Sequence, residues 1–380
     1  MPPTPSPSSG RSPSALLVVG GRQRRDAVDR NEWQAYDRGR IVRVDLRTGE
    51  VTPWLDDTGC AERLPSGTPS IVFKAASIDG DRLRVCMTTE VLEIELATGK
   101  VLRRRSHPWF NDLHHVVIDD SGELLVVSTG LDAVLRLDGD DAITATYEIG
   151  LRPIRERFDR STDWRLVPTT KPHETHPNYL FRVDGAWWAT RFLTGDAIEL
   201  APTRRTVRIA QRLDATTPVA GPHDGIVSAD GVRFTTVDGA IVTASLDRFA
   251  SLDRFAPLDR FAPLGDARSA GRVVTPPGDD SEIGIARVEL RDADGERATG
   301  WCRGLAPLSD GTAWVGFSRI RPTSFRRHVS WLKHGMRRVG LHATAPTRIA
   351  QHDLVSGALR TEIDLEPHGM AAVFSIHPLP

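Results

Sequence analysis

The chain has 380 residues, with 49 Lys and Arg against 50 Asp and Glu, and a formal net charge of -1. That balance excludes a global pull toward nucleic acid or an anionic membrane surface. Cys60, Cys86 and Cys302 are too few and too scattered for a disulfide framework or a cysteine zinc site, and no apolar run reaches the ~18 residues of a membrane span.

Residues 1–14 are rich in Pro and Ser without an apolar centre, which predicts a disordered tail and no signal peptide. A soluble, cytoplasmic protein is the expectation. From Ala15 onward, short alternating apolar runs are punctuated by Asp-Gly, Ser-Gly and Thr-Gly, while helical periodicity is nearly absent. Strands are predicted at 15–20, 41–46 and 51–55. A repeated form then sets in: a polar opening, an apolar run and a tight turn ending in glycine. It begins at Ser70, Asp112, His176, Pro222 and Cys302, and its turns end at Gly80, Gly122, Gly185, Gly231 and Gly311. A second strand follows each turn, and third and fourth strands are visible after several of them. Four antiparallel strands in about forty residues, repeated, predict propeller blades.

The N-terminal strands lack an inner first strand, whereas the segment 367–374 is a first strand with nothing after it. Joining the two closes a ring and hides the sheet edges. The expected architecture is therefore all-β: a single six-bladed β-propeller over residues 15–380, its last blade shared by both chain ends. Insertions are expected at 151–172, 245–282 and 319–347. The second contains the hexapeptide Ser-Leu-Asp-Arg-Phe-Ala at 245–250 and 251–256, with a proline-led copy at 257–262, and reads as a tolerated expansion. The third is basic, and residues 324–339 have the pattern of an amphipathic helix. The first and third insertions emerge on the face where the inner strands begin, so they are expected to wall and cover that mouth.

Histidines recur at those strand starts. Counting back eight residues from the turn glycine reaches His114, His223 and Arg303, while His176 lies nine before its own and needs a bulge or a shorter turn. With His368 from the last strand, His114, His176 and His223 are expected to converge on the channel and hold a divalent transition metal, zinc or iron. Alternation allows only one of His114 and His115 to face the channel, and the shared register favours His114. His173 is a substitute for His176. Asp112, Glu174 and Asp224 are placed to orient the imidazoles, with Glu174 and Asp224 as candidate catalytic carboxylates. Arg303 is a candidate anchor for a substrate anion, Lys74 a weaker one. Cys302 is expected to turn away from the channel as a buried, inert thiol. Trp109, Trp164 and Trp301 are candidates for an apolar wall.

On its Asp79-Gly80, Asp230-Gly231 and Asp310-Gly311 turns and polar strand starts, the chain resembles the broad group of six-bladed propellers that includes the gluconolactonase, strictosidine-synthase and NHL-repeat families. The resemblance implies architecture over most of the chain. Gluconolactonase-like members typically hold calcium with Glu, Asn and Asp, whereas histidines stand at these strand starts. In site design the chain is similar to the peptide-amidating lyases, with zinc on three channel histidines, and to the seven-bladed carotenoid oxygenases, with iron on four. The functional expectation is a metal-dependent enzyme acting on a small organic, anionic molecule. Three ligands suit hydrolysis or lyase chemistry and four suit oxygen chemistry. The competing expectation is a non-catalytic propeller that binds a peptide or protein on the same face.

Overall fold

The computed structural model describes residues 13–27, 32–210, 221–250, 284–319 and 345–380. Among these residues, 24 strands form six four-stranded sheets, each wholly antiparallel. Among the described residues helix is confined to short 3-10 turns, and none is long and apolar enough to cross a membrane. The six-bladed propeller expected from the turn glycines is the fold.

Closure is as the sequence implies. Strand β1 (Ala15–Gln23) lies between β2 (Tyr36–Asp45) and β24 (Ala372–Leu379), the last strand of the chain, with β3 (Val51–Asp57) outermost. Leu16, Leu17, Val18 and Val19 of β1 are fully buried. The inner strands of the other blades are β4 (Ala76–Asp79), β8 (Leu113–Ile118), β12 (Pro177–Val183), β16 (Pro222–Ser228) and β20 (Trp301–Pro307). They and β24 stand side by side around the axis. Cores form where adjacent blades meet. Leu17, Val19 and Ile41 of the closing blade, for example, pack with Leu83, Val85, Leu92 and Ile94 of the next.

The register of the inner strands carries the functional geometry. Five of them place one extra residue opposite their neighbour: His114 and His115 together face the step between Val126 and Ser128, and Asn178, Gly304 and Phe374 are single insertions. In β16 the shift lies between His223 and Ile226. Such bulges break the alternation of side chains and re-aim them. Next to them Asp112, His176 and Asp224 adopt positive φ of 46°, 53° and 61°. Non-glycine residues held there cost backbone energy and cluster at functional sites.

Residues 151–172 connect the third and fourth blades of the chain order, ahead of β12, as expected. Phe249 of the first hexapeptide copy is buried edge-on against Phe181 and Trp188, so that copy is core and not an idle expansion. The other two copies and the helical pattern at 324–339 lie outside the described residues.

Candidate active site: a ring of cations, imidazoles and aromatics

The starts of the inner strands bring together a closed circuit of side chains. Lys74 Nζ stands 3.3 Å from Asp112 Oδ1 and 3.4 Å from His114 Nε2, and 4.8 Å from the Phe374 ring centre. His114 Nε2 also faces Asp112 Oδ1 at 3.5 Å, so this one nitrogen stands between an ammonium that only donates and a carboxylate that only accepts. His114 meets His176 edge-on with ring centres 4.9 Å apart, and His176 Nδ1 lies 2.9 Å from His173 Nδ1. Phe192 continues the circuit, 5.4 Å from His176 and 5.0 Å from His223. Trp301 follows at 6.3 Å from both Phe192 and His223. The Arg303 guanidinium lies 4.9 Å from Trp301 and 4.8 Å from Phe374, which returns the circuit to Lys74.

Position on the strands explains who joins. His114, His223 and Arg303 share the predicted register, and His176 enters because β12 carries its bulge at Asn178. Phe192 comes from the residue after the second strand of its blade, Ala186–Arg191. It fits because position 221 is glycine: a Cβ there would meet the Phe192 ring at 2.2 Å.

Asp132, 2 % exposed, organises one side of the mouth. Its Oδ1 accepts from the main-chain N–H groups of Thr175 and His176 and from the Thr175 hydroxyl, while Oδ2 accepts from Glu174 N and from Arg157. One carboxylate thus fixes both the His173–His176 segment and the 151–172 insertion. Asn111 Nδ2 donates to the Trp164 and Val167 carbonyls and holds that insertion over the face where the inner strands begin.

Electrostatics follow from burial and the two cations. Burial, then the Lys74 charge, pushes His114 down to about 3, with Asp112 opposing and Arg303 adding to the shift. His223 is held well below the ordinary value by burial, then by Arg303, His114 and Lys74. His176 is likewise held down by burial and by the neighbouring imidazoles. Burial would raise Asp112, but Lys74, His114 and His173 together outweigh that and hold its carboxyl well below the usual range. Among the described residues neither ring nitrogen of His223 has a hydrogen bond of ordinary geometry, although the Gly221 main chain is near enough to raise its proton affinity. The ring is therefore neutral imidazoles in a net positive field.

Several expectations need correction. His368 does not join the ring: it lies in the 3-10 turn Glu366–His368 beside β3, its carbonyl accepting from Arg40. The channel position of that blade belongs to Phe374. Glu174 is a structural carboxylate, taking the Leu151 and Arg152 N–H groups and the Arg152 and Arg157 side chains. Asp224 is buried against the next blade, its Oδ2 accepting from Thr235 Oγ1 and Gly304 N, and burial raises it to about 6. His115 is not turned out of the channel, because the bulge puts it and His114 on the inner side together. It stacks on Tyr179 at 3.8 Å and lines the channel further along. Among the described residues no three His, Cys, Asp or Glu side chains are grouped to hold a metal ion, and Phe192 stands between His176 and His223. Cys302 is fully buried, and burial pushes its thiol well up. Trp301 joins the ring, whereas Trp109 lies in the core with Trp164 packed against it. Sequence reasoning passed over Phe192, Phe374 and Asp132 altogether.

Fold and ring together define a six-bladed propeller with a polar, partly cationic channel mouth. No family model and no curated protein matches the sequence. Among solved structures, it is similar to a protein of unknown function from Bacteroides caccae, with a TM-score of 0.52 and 15 % identity over 97 % of this chain and 99 % of that one. A catalytically inactive virginiamycin B lyase from Staphylococcus aureus with quinupristin aligns over 92 % of this chain and 89 % of its own, at 9 % identity and a TM-score of 0.43. The Cps50 (Swd1) β-propeller domain of Myceliophteria thermophila aligns over 94 % and 87 %, at 12 % identity and 0.42. At these identities the likeness is one of fold alone.

Proposed function

We propose that this protein is an enzyme acting on a small organic anion bound in the ring at the channel mouth. The observation that carries this is the convergence of Lys74 and Arg303 on one aromatic ring, each 4.8 Å from the centre of Phe374, beside buried neutral imidazoles. A planar guanidinium and an ammonium together suit a carboxylate or another oxyanion, the first through its fork and the second as a point charge. Phe192, Trp301 and Phe374 supply walls for an apolar body.

Binding and chemistry are coupled by charge. Lys74 and Arg303 lower the proton affinity of His114 and His223. An anion between the two cations offsets that field, so the imidazoles become better proton acceptors when substrate is present. Proton abstraction from the bound molecule, or from a water beside it, leads to lyase or hydrolase chemistry.

The test is a thermal-shift screen of small carboxylates, phosphate monoesters and their neutral amide or alcohol counterparts, followed by turnover assays on the hits. Anions should dominate the hits, and Arg303→Ala should remove them while the free protein still unfolds cooperatively. Hits confined to neutral compounds, or retained in full by Arg303→Ala, contradict the proposal. Activity that appears only on adding zinc or iron salts restores the metal-dependent expectation.

A further inference from the structure

Where the inner strands end, their last residues line an open depression of about 410 Å³. Its walls are the later residues of the inner strands: Ser77 and Ile78 of β4, His115 and Val117 of β8, Tyr179 of β12, Ile226 of β16 and His377 of β24 among them. Nearly every one lies C-terminal to the ring residue of its own blade. All inner strands run the same way along the axis, so this depression is at the opposite end of the channel from Lys74 and Arg303. With ~3.3 Å per residue, the step from His114 to Val117 alone is ~10 Å.

The polar groups of this depression are set by hydrogen bonding. Leu180 N–H donates to His115 Nδ1 at 2.9 Å, so Nδ1 is the acceptor and the ring proton is on Nε2. His115 is 1 % exposed, and its Nε2 has no hydrogen bond of ordinary geometry among the described residues. The Ala76 main chain is near enough to raise its proton affinity but leaves the bond unmade. A buried donor without a well-made acceptor carries a desolvation cost, and because Nε2 is covered, an incoming oxygen reaches it only when the His115 ring turns away from the Ala76 main chain toward the depression. Ser375 Oγ accepts from Ala76 N–H at 3.1 Å and lies 2.9 Å from His377 Nε2, so a second imidazole borders the depression with one nitrogen engaged. Burial pushes His115 down to about 3 and His377 down to about 4, so both are neutral at ordinary pH. The arginine of this wall, Arg182, is already paired with Asp120 at 2.5 Å. Ile78, Val117, Phe181 and Ile226 complete a mostly apolar lining.

We infer that this depression is a second binding site, distinct from the ring, for a small uncharged molecule with an apolar body and a hydrogen-bond acceptor that takes the His115 Nε2–H. Its size is in the range of small-molecule sites. The lack of an available cation sets it apart from the anion-binding mouth.

The test uses the full chain with 15N-labelled histidine, titrated with 2-pyrrolidone as the neutral acceptor probe and with acetate as the charged one. The His115 Nε2–H signal should shift saturably with 2-pyrrolidone and remain unmoved by acetate. His115→Phe, which keeps the stack on Tyr179 but removes both the Nε2–H donor and the Nδ1 acceptor of Leu180 N–H, should bind 2-pyrrolidone on the order of tenfold more weakly. Ile226→Trp, which fills the depression from an apolar wall, should abolish binding even if the first variant fails to fold. Arg303→Ala should leave it unchanged. No saturable shift, equal binding by Ile226→Trp, or acetate acting as well as 2-pyrrolidone would overturn the assignment and leave a water-filled passage.

Discussion

The Nδ1 atoms of His173 and His176 lie 2.9 Å apart, so one ring must donate and the other accept. Both cannot be protonated, and the pair is held together only while at least one imidazole is neutral. The same demand is made around the channel, where burial holds His114, His176, His223, His115 and His377 below their ordinary proton affinity.

Stability should therefore fall with acid. These histidines bind protons in the unfolded chain below about pH 6.5, whereas in the folded protein His114 and His115 do so only near pH 3 and His377 only near pH 4, with His176 and His223 likewise held well below the ordinary value. Their contribution is complete above about pH 6.5 and is lost as the pH drops toward those values, at about 1.4 kcal/mol per unit for each. Asp224 acts oppositely: its folded value of about 6 means a contribution present below its unfolded value and lost as pH rises through 6. The histidines outnumber it. Urea midpoints should decline steeply from pH 7 to pH 5, and a flat profile would show that the imidazoles are solvated.

Asp132 predicts a coupled loss. It is 2 % exposed and paired with Arg157, itself 10 % exposed, and Asp132→Ala leaves that guanidinium with Glu174 alone at 3.3 Å and strips the acceptor from the Glu174, Thr175 and His176 N–H groups. The cost should be about 3–5 kcal/mol in denaturant unfolding. Proteolysis should then cut within 151–172 in the variant first, and equal resistance in both proteins would show that the insertion is held by other contacts.

Gly221→Ala tests the Phe192 seat. The added methyl would stand 2.2 Å from that ring, and Phe192 is what parts His176 from His223. A destabilisation of about 1–3 kcal/mol and a lower affinity for anions are expected. Unchanged binding would mean that Phe192 does not shape the site.

Removing residues 372–380 strips β24 from β1 and exposes Leu16, Leu17 and Val18, all fully buried. The truncated chain should aggregate, while a protein lacking residues 1–12 should melt as the parent does. A soluble, cooperatively folding chain without β24 would contradict the closure.

Much of this was legible from punctuation. Turn glycines at 80, 122, 185, 231 and 311 mark the blades because a tight turn leaves few alternatives, and the strand count at the two ends implies their joining. Counting from those glycines also reached His114, His223 and Arg303. It failed for His368, since the last strand has no turn glycine to count from and a 3-10 turn intervenes. It failed for His115 because a bulge is a property of pairing, and strict alternation hides it. Phe192 was invisible for a different reason: it enters the ring from the end of a second strand, while the repeat had been read only along first strands. The fit of four histidines to one ion rested on residue type without distances.

The most direct test of the central claim is calorimetric titration with benzoate, whose carboxylate suits Lys74 and Arg303 and whose ring suits Phe192, Trp301 and Phe374. Wild-type protein should bind it at one ring site with an affinity that weakens as salt rises. Arg303→Ala should lose binding on the order of tenfold or more, and Arg303→Lys should recover part of it, because lysine keeps the charge and loses the fork. Equal benzoate binding by wild-type protein and Arg303→Ala, or none by either at millimolar concentration, would contradict an anion site in the channel mouth.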